Sequence, residues 1–230
     1  AGGAVASHIL RELGIELTTY AKAIGPVTVP EEEYRFEEIF QNKLYMPNNQ
    51  RAEEAAACLE SMMKNLDSCG GVIECRVTGL PAGIGEPVFN KLDACLGRAI
   101  LSIGAVKAIE IGDGIDAARL SGSQNNDAFF MEDSAVKKKT NHAGGVLGGM
   151  SDGDTLVLRA SVKPTPSIAQ PQQTVTESGE DTELVIRGRH DPIIVPRAVV
   201  VVESMTALTL ADLLLQNMGS RMEHLKKIYQ

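Results

Sequence analysis

The chain has 230 residues, 43% hydrophobic and 23% charged, which excludes disordered and fibrous classes and allows a substantial buried core. Its formal charge of −8 makes the surface repel nucleic acid and acidic membranes, so an anion has to be met by a local basic pocket. Cys58, Cys69, Cys75 and Cys95 form no CxxC pair and follow no secretory signal, so the expectation is reduced thiols in a cytoplasmic protein without a zinc site.

The opening AGGAVASHILRELG carries Val5, Ile9 and Leu13 at helical spacing and stops at Gly14. Ala1, Gly2 and Gly3 offer no capping side chain, so this stretch reads as the tail of a helix that begins upstream. His8 lies off the stripe and reads as a surface residue. Residues 15–24 are expected to form a strand closed by Gly25 and Pro26, and EEEYRFEEIF an acidic, solvated stretch. Asn48 and Asn49 precede a helix with Ala55, Leu59, Met62 and Leu66 on one face, ended by Gly70 and Gly71. Ile73, Cys75 and Val77 then alternate with Glu74, Arg76 and Thr78, the pattern of a strand in an antiparallel sheet covered on one side.

A helix is predicted over residues 88–101, with Pro87 in its first turn and Leu92, Cys95, Leu96 and Ala99 facing the core. SIGAVKAIEIGDG reads as a tight turn, a strand and a Gly-rich bend, and residues 117–139 as a polar loop whose run Lys137, Lys138, Lys139 is solvated. TNHAGGVLGGMSDGD places five glycines in fifteen residues, which lets a ligand approach backbone closely, although its spacing is neither GxGxxG nor a Walker loop. The strand TLVLRASV runs into KPTPS, either a rigid anion-facing loop or a turn, and QTVTESGEDTELVI reads as a hairpin around Ser178 and Gly179.

RGRHDP follows, with two guanidinium groups, an imidazole and a carboxylate within five residues. Arginine forks suit phosphate or carboxylate, yet ion-pair turns gather the same charges, so both readings stand at this point. Residues 193–215 are strongly apolar, with Glu203, Thr206, Thr209 and Asp212 at a three-residue period. That spacing predicts a mostly buried helix with one narrow polar stripe, and its two carboxylates argue against a membrane span. GSRMEHLKKIYQ reads as a polar tail, and the elements together give an α+β class.

Five stretches in this order, GLPAGIGEPVF, LDACLGRAILSIGAVKAIEIGDG, TNHAGGVLGGMSDGD, KPTPSI and RGRHDPIIVPRAVVVVESMTALTLADLLL, closely resemble the chorismate synthase family across essentially the whole chain. The resemblance implies a β-α-β sandwich with helices packed between antiparallel sheets, in a homotetramer, with residues 1–230 as the C-terminal portion of that single domain. It also implies a 1,4-elimination of phosphate from 5-enolpyruvylshikimate 3-phosphate to give chorismate. The family needs reduced FMN without net redox change, and NADPH is its associated reductant.

Matched by motif, Gly104, Ala105, Gly148, Lys163, Pro164, Thr165, Pro166, Ser167 and Arg189 fall where the family contacts FMN. Asp191 falls on the aspartate implicated in proton transfer, and as a carboxylate between Arg189 and His190 and their positive charge it is expected to accept a proton. Gly104 departs from a usual amide side chain and Ala108 from a usual glycine, so contact there is expected from backbone alone. The family's two catalytic histidines, substrate-binding arginines and serine-rich flavin loop lie in an N-terminal part that nothing here matches. None of His8, His142, His190 or His224 falls in those motifs, so the 230-residue chain alone is expected to be inactive. The alternative is a non-catalytic flavin-binding or oligomerisation fragment of that enzyme.

Overall fold

Helix α1 (Gly2–Glu12) opens the computed structural model, which describes residues 1–133 and 135–230. It buries Gly3, Ala6 and Leu10, whereas Val5, Ile9 and Leu13 are exposed, so the apolar stripe faces out. The reason is helix-to-helix closeness: a side chain on Gly3 would lie 2.6 Å from the Ser204 backbone, so the small residues take the packed face. Strands β1 (Glu16–Ile24) and β2 (Val27–Thr28) form an antiparallel pair. Helix α2 (Asn49–Lys64) starts where expected, the Asn48 side chain accepting from Arg51 N at 3.0 Å, but it stops well before Gly70. Strand β3 (Gly71–Thr78) follows.

Helix α3 (Leu92–Leu101) begins four residues later than predicted, because Val88 has φ +80° and breaks the first turn expected after Pro87. Strand β4 (Val106–Ile111), the short helix α4 (Gly122–Asn125), and the hairpins β5 (Phe129–Glu132) with β6 (Ala135–Lys138) and β7 (Val146–Leu147) with β8 (Met150–Ser151) come next. The stretch expected as a loop over residues 117–139 therefore contains a two-stranded antiparallel ribbon. Strand β9 (Leu156–Val162) precedes the hairpin β10 (Gln172–Val175) and β11 (Asp181–Leu184), then helices α5 (Val195–Met218) and α6 (Met222–Tyr229). The residues expected as a polar tail form the second of these helices. The main sheet has the order β2-β1-β3-β9-β4.

The chain divides into two compact units. The first contains residues 1–19, 74–160 and 200–230, with Leu10, Leu92, Leu96, Ile100, Leu156 and Leu158 fully buried. Each such side chain contributes about 1.5–3 kcal/mol relative to exposure. Helix α5 adds Val202, Thr206, Leu210 and Leu213 to this core but leaves Val200, Val201, Leu208 and Leu215 exposed, so it is less buried than its composition suggested. Thr206 is accommodated because its hydroxyl donates to Val202 O at 2.9 Å. Burial pushes the Glu203 carboxyl up, against the pull of Thr19 and Arg11, and pushes the Cys75 thiol up to about 12. All four cysteines are free thiols.

The strand face expected to be solvated is also covered. Glu74 is 1% exposed and takes Arg159 Nε at 2.6 Å, with Arg76 Nη1 at 3.6 Å. The second unit contains residues 20–73 and 161–199. Tyr20 is buried at its centre, with the rings of Tyr34 and Phe36 at 5.2 and 5.5 Å. The acidic stretch is thus anchored by its aromatics and by Ile39, 2% exposed, rather than solvated throughout.

Candidate functional site

Two loops of the second unit carry most of the predicted residues, and one short turn joins them. KPTPS leaves the end of β9, and the prolines at 164 and 166 fix its path. Ser68 Oγ donates to Thr165 O at 2.7 Å, while Cys69 N donates to Pro192 O at 2.9 Å, so residues 68 and 69 hold both the 163–167 loop and the RGRHDP segment. Gly70 completes the clamp by closeness: a side chain there would lie 2.2 Å from Val162 O. Sequence reasoning treated this glycine pair only as a helix stop and missed its role.

The two loops also meet directly. His190 Nε2 lies 3.1 Å from Ile186 O, which can only accept, so in the neutral ring Nε2 carries the proton. Nδ1 then accepts from Ser167 Oγ at 3.1 Å. His190 is thereby a strut between the loops. Around them, Lys163, Arg187 and Arg189 are exposed and make no ion pair among the described residues. The Thr165 hydroxyl is enclosed by protein and has no hydrogen-bond partner among the described residues, an unmet polar group that costs free energy.

Asp191 differs from expectation in its partner. Its Oδ2 accepts from Arg197 Nη2 at 2.5 Å, an arginine of the first turn of α5, rather than from Arg189. Oδ1 has no partner among the described residues, and the side chain is 41% exposed.

The remaining predicted residues lie in the first unit. Val106 N donates to Ile103 O at 3.2 Å, closing a tight turn with Gly104 and Ala105 at its centre. Ala105 sits at φ +70°, where glycine is usual, a strain of about 1–2 kcal/mol. Among the described residues, neighbours in sequence aside, no atom lies within 4 Å of where a side chain on Gly104 would stand, so their packing does not demand glycine there. Gly148 and Gly149, at φ +60° and +86°, form the two-residue turn of the β7–β8 hairpin, and the side-chain position on Gly148 is equally open. The open backbone at Gly104 and Gly148 in the first unit fits contact with a planar ring, and the exposed cations of the second unit fit an anion.

Within the basic run Lys137 and Lys139 are exposed as expected, and Lys138 alone of the three is not. Lys138 is 4% exposed, with Nζ 2.8 Å from Asp152 Oδ2 and 3.2 Å from Asp154 Oδ2. Asp127 stays below the usual carboxylate range although burial opposes this, because Ala143 N, Thr140 and His142 N donate to it and Lys138 lies near. Its contribution to stability is therefore present above the ordinary aspartate range and is lost as pH falls through its lowered value. No feature of the KKK run separates Lys138 from its neighbours; only the acidic SDGD stretch hinted at a cation nearby.

Residues 1–215 match the family model described as chorismate synthase. A chorismate synthase from Agathobacter rectalis is 58% identical over 230 residues, covering 100% of this chain and 63% of that protein. One from Lachnospira eligens is 57% identical with the same coverage, and one from Archaeoglobus fulgidus is 49% identical over 94% of this chain and 61% of its own. A solved structure described as a crystal structure of chorismate synthase superposes with a TM-score of 0.79 at 29% identity, over 98% of this chain and 64% of that one. The chain thus spans 63% of the length of the first two relatives.

Proposed function

The chain belongs to the chorismate synthase family, and from that premise we propose that it forms the larger, C-terminal part of an enzyme converting 5-enolpyruvylshikimate 3-phosphate to chorismate. The observation that carries this reading is the junction of the 163–167 loop with RGRHDP, whose Lys163, Arg187 and Arg189 are exposed and make no ion pair among the described residues. Exposed, unpaired cations beside a rigid loop suit anionic ligands in a protein whose net charge is otherwise −8.

Reduced FMN, when bound, would supply electron density transiently as phosphate leaves and recover it as the ring hydrogen is lost. Lys163 and Arg189 would bind the anionic tail, with Pro164 and Pro166 keeping the loop in place and Thr165 and Ser167 offering hydroxyls. Gly104, Ala105 and Gly148 would lay backbone against the ring. Asp191 would take the departing proton at Oδ1, since Oδ2 is committed to Arg197. In the balance of the reaction, the C–O bond to phosphate breaks with its electron pair, the ring's existing double bond shifts toward that carbon, the C–H pair forms the second double bond, and the proton passes to the carboxylate.

His142 Nδ1 is 2.7 Å from Asp113 Oδ2 and His190 lies between Ser167 and Ile186, and this reading assigns neither of them the role of acid. The protein carrying this chain, incubated anaerobically with substrate and chemically reduced FMN, is expected to release phosphate and chorismate in equal amounts. The 230-residue chain alone is expected to release neither. Turnover by that chain, or turnover independent of flavin, would contradict the reading.

A further inference from the structure

Gly148 sits at the turn of a short glycine-rich hairpin. Residues 142–151 include glycines at 144, 145, 148 and 149, and the β7–β8 hairpin pairs only Val146 with Ser151 and Leu147 with Met150. Glycine loses more freedom on ordering than any other residue, and an isolated two-stranded hairpin is marginal in water. Leu92 N donates to Gly149 O at 2.7 Å and Ser151 N to Ile84 O at 2.9 Å on the β8 side, and further ties hold the segment at its entry and exit.

One ammonium touches both ends. At the exit, Lys138 Nζ donates to Asp152 Oδ2 at 2.8 Å and pairs with Asp154 Oδ2 at 3.2 Å. At the entry it lies 3.3 Å from Asn141 Oδ1 and 4.0 Å from Asp127 Oδ2. Those partners grip the segment in turn: Asn141 Oδ1 accepts from Gly145 N at 2.9 Å, and Asp127 accepts from His142 N at 2.8 Å and Ala143 N at 2.9 Å. The backbone closes the ring where Asp152 N donates to Gly145 O at 3.1 Å.

Burying a lysine costs several kcal/mol unless its charge is met. Burial draws the Lys138 ammonium down, yet its hydrogen bonds to Asp152 and Asp154 outweigh that and hold it above its ordinary range.

We propose that Lys138 is a positioning residue for the flavin contact at Gly148, clamping the entry and exit of the glycine-rich hairpin so that its turn is presented in one place. The inference rests on reading Gly148 as a flavin contact. In this role Lys138 acts through Asn141 and Asp152.

The test uses the protein carrying this chain and two readouts: backbone hydrogen exchange over residues 141–152, and anaerobic titration with reduced FMN. Lys138→Met is expected to raise exchange in that segment and weaken flavin binding by about tenfold, with a changed spectrum of the bound flavin. Lys138→Arg keeps the cation and restores most of both. Arg189→Ala serves as the reference, weakening flavin binding without changing exchange over 141–152. If Lys138→Met leaves exchange and affinity unaltered while Arg189→Ala still weakens binding, the clamp is refuted and the flavin reading stands. If Lys138→Met loosens the hairpin and affinity does not move, Gly148 is not a flavin contact and both fail. Should Lys138→Met not fold, Asp152→Asn removes one charge-assisted bond while keeping shape, and the same criteria apply to it.

Discussion

Replacing Asp191 with Asn is expected to lower turnover by about 10²–10⁴ while leaving the thermal midpoint and flavin affinity near their original values. Asparagine keeps the shape and still offers an oxygen to Arg197, but its amide does not accept a proton usefully at neutral pH. Asp191 is 41% exposed and sits outside the core, so its loss leaves no cavity. A group that works only in the transition state lowers kcat and kcat/KM together, which steady-state assays with reduced FMN can separate from a binding defect. An unchanged kcat would remove Asp191 from the chemistry. A raised KM at constant kcat would recast it as a substrate contact.

The second large effect concerns stability. Glu74→Ala is expected to destabilise the fold by about 3–5 kcal/mol, because it removes the buried acid that pairs with both Arg159 and Arg76 and leaves their like charges facing the same site. Glu74 is 1% exposed, and Arg159 spans from it to Gly112 O at 2.5 Å, so the guanidinium cannot swing out without giving up a second bond. Thermal unfolding should show a fall of about ten degrees or more for a domain of this size. The double variant Glu74→Leu with Arg159→Met removes the acid and the closer of its two arginines and should recover much of the loss. A Glu74→Ala protein within about 1 kcal/mol of the parent would show that the pair is not under stress.

The sequence carried the fold class and much of the element order. Strands β1, β3 and β9 and the β10–β11 hairpin follow from alternation and turn residues, and Asn48 caps α2 as its type predicts. What it did not show has a physical origin in partners distant along the chain. Val5, Ile9 and Leu13 form a proper helical stripe, but close packing against Ser204 selects glycine and alanine for the inner face. Lys138 and Glu74 were placed in solvent because each is charged, and their counter-charges, Asp152 and Arg159, lie 14 and 85 residues away. Arg197 as the partner of Asp191 was hidden for a related reason: arginines nearer in sequence drew the attention, and the geometry at the start of α5 decides otherwise.

The site shows the same division. KPTPS and RGRHDP were legible as charged, rigid stretches, and the family resemblance assigned them to a flavin pocket. That they meet through Ser167 and His190, and that Ser68, Cys69 and Gly70 hold them, depends on contacts that no local pattern announces.

The central claim is that the 163–167 loop and Arg189 form a wall against the flavin. Anaerobic titration of the protein carrying this chain with reduced FMN, comparing the parent with Lys163→Ala and Arg189→Ala, tests it most directly. Each exposed cation that pairs with the bound anion is worth about 1.5–3 kcal/mol, so each substitution should weaken binding by about tenfold or more at an unchanged thermal midpoint. Affinity equal to the parent's in both variants would contradict the account.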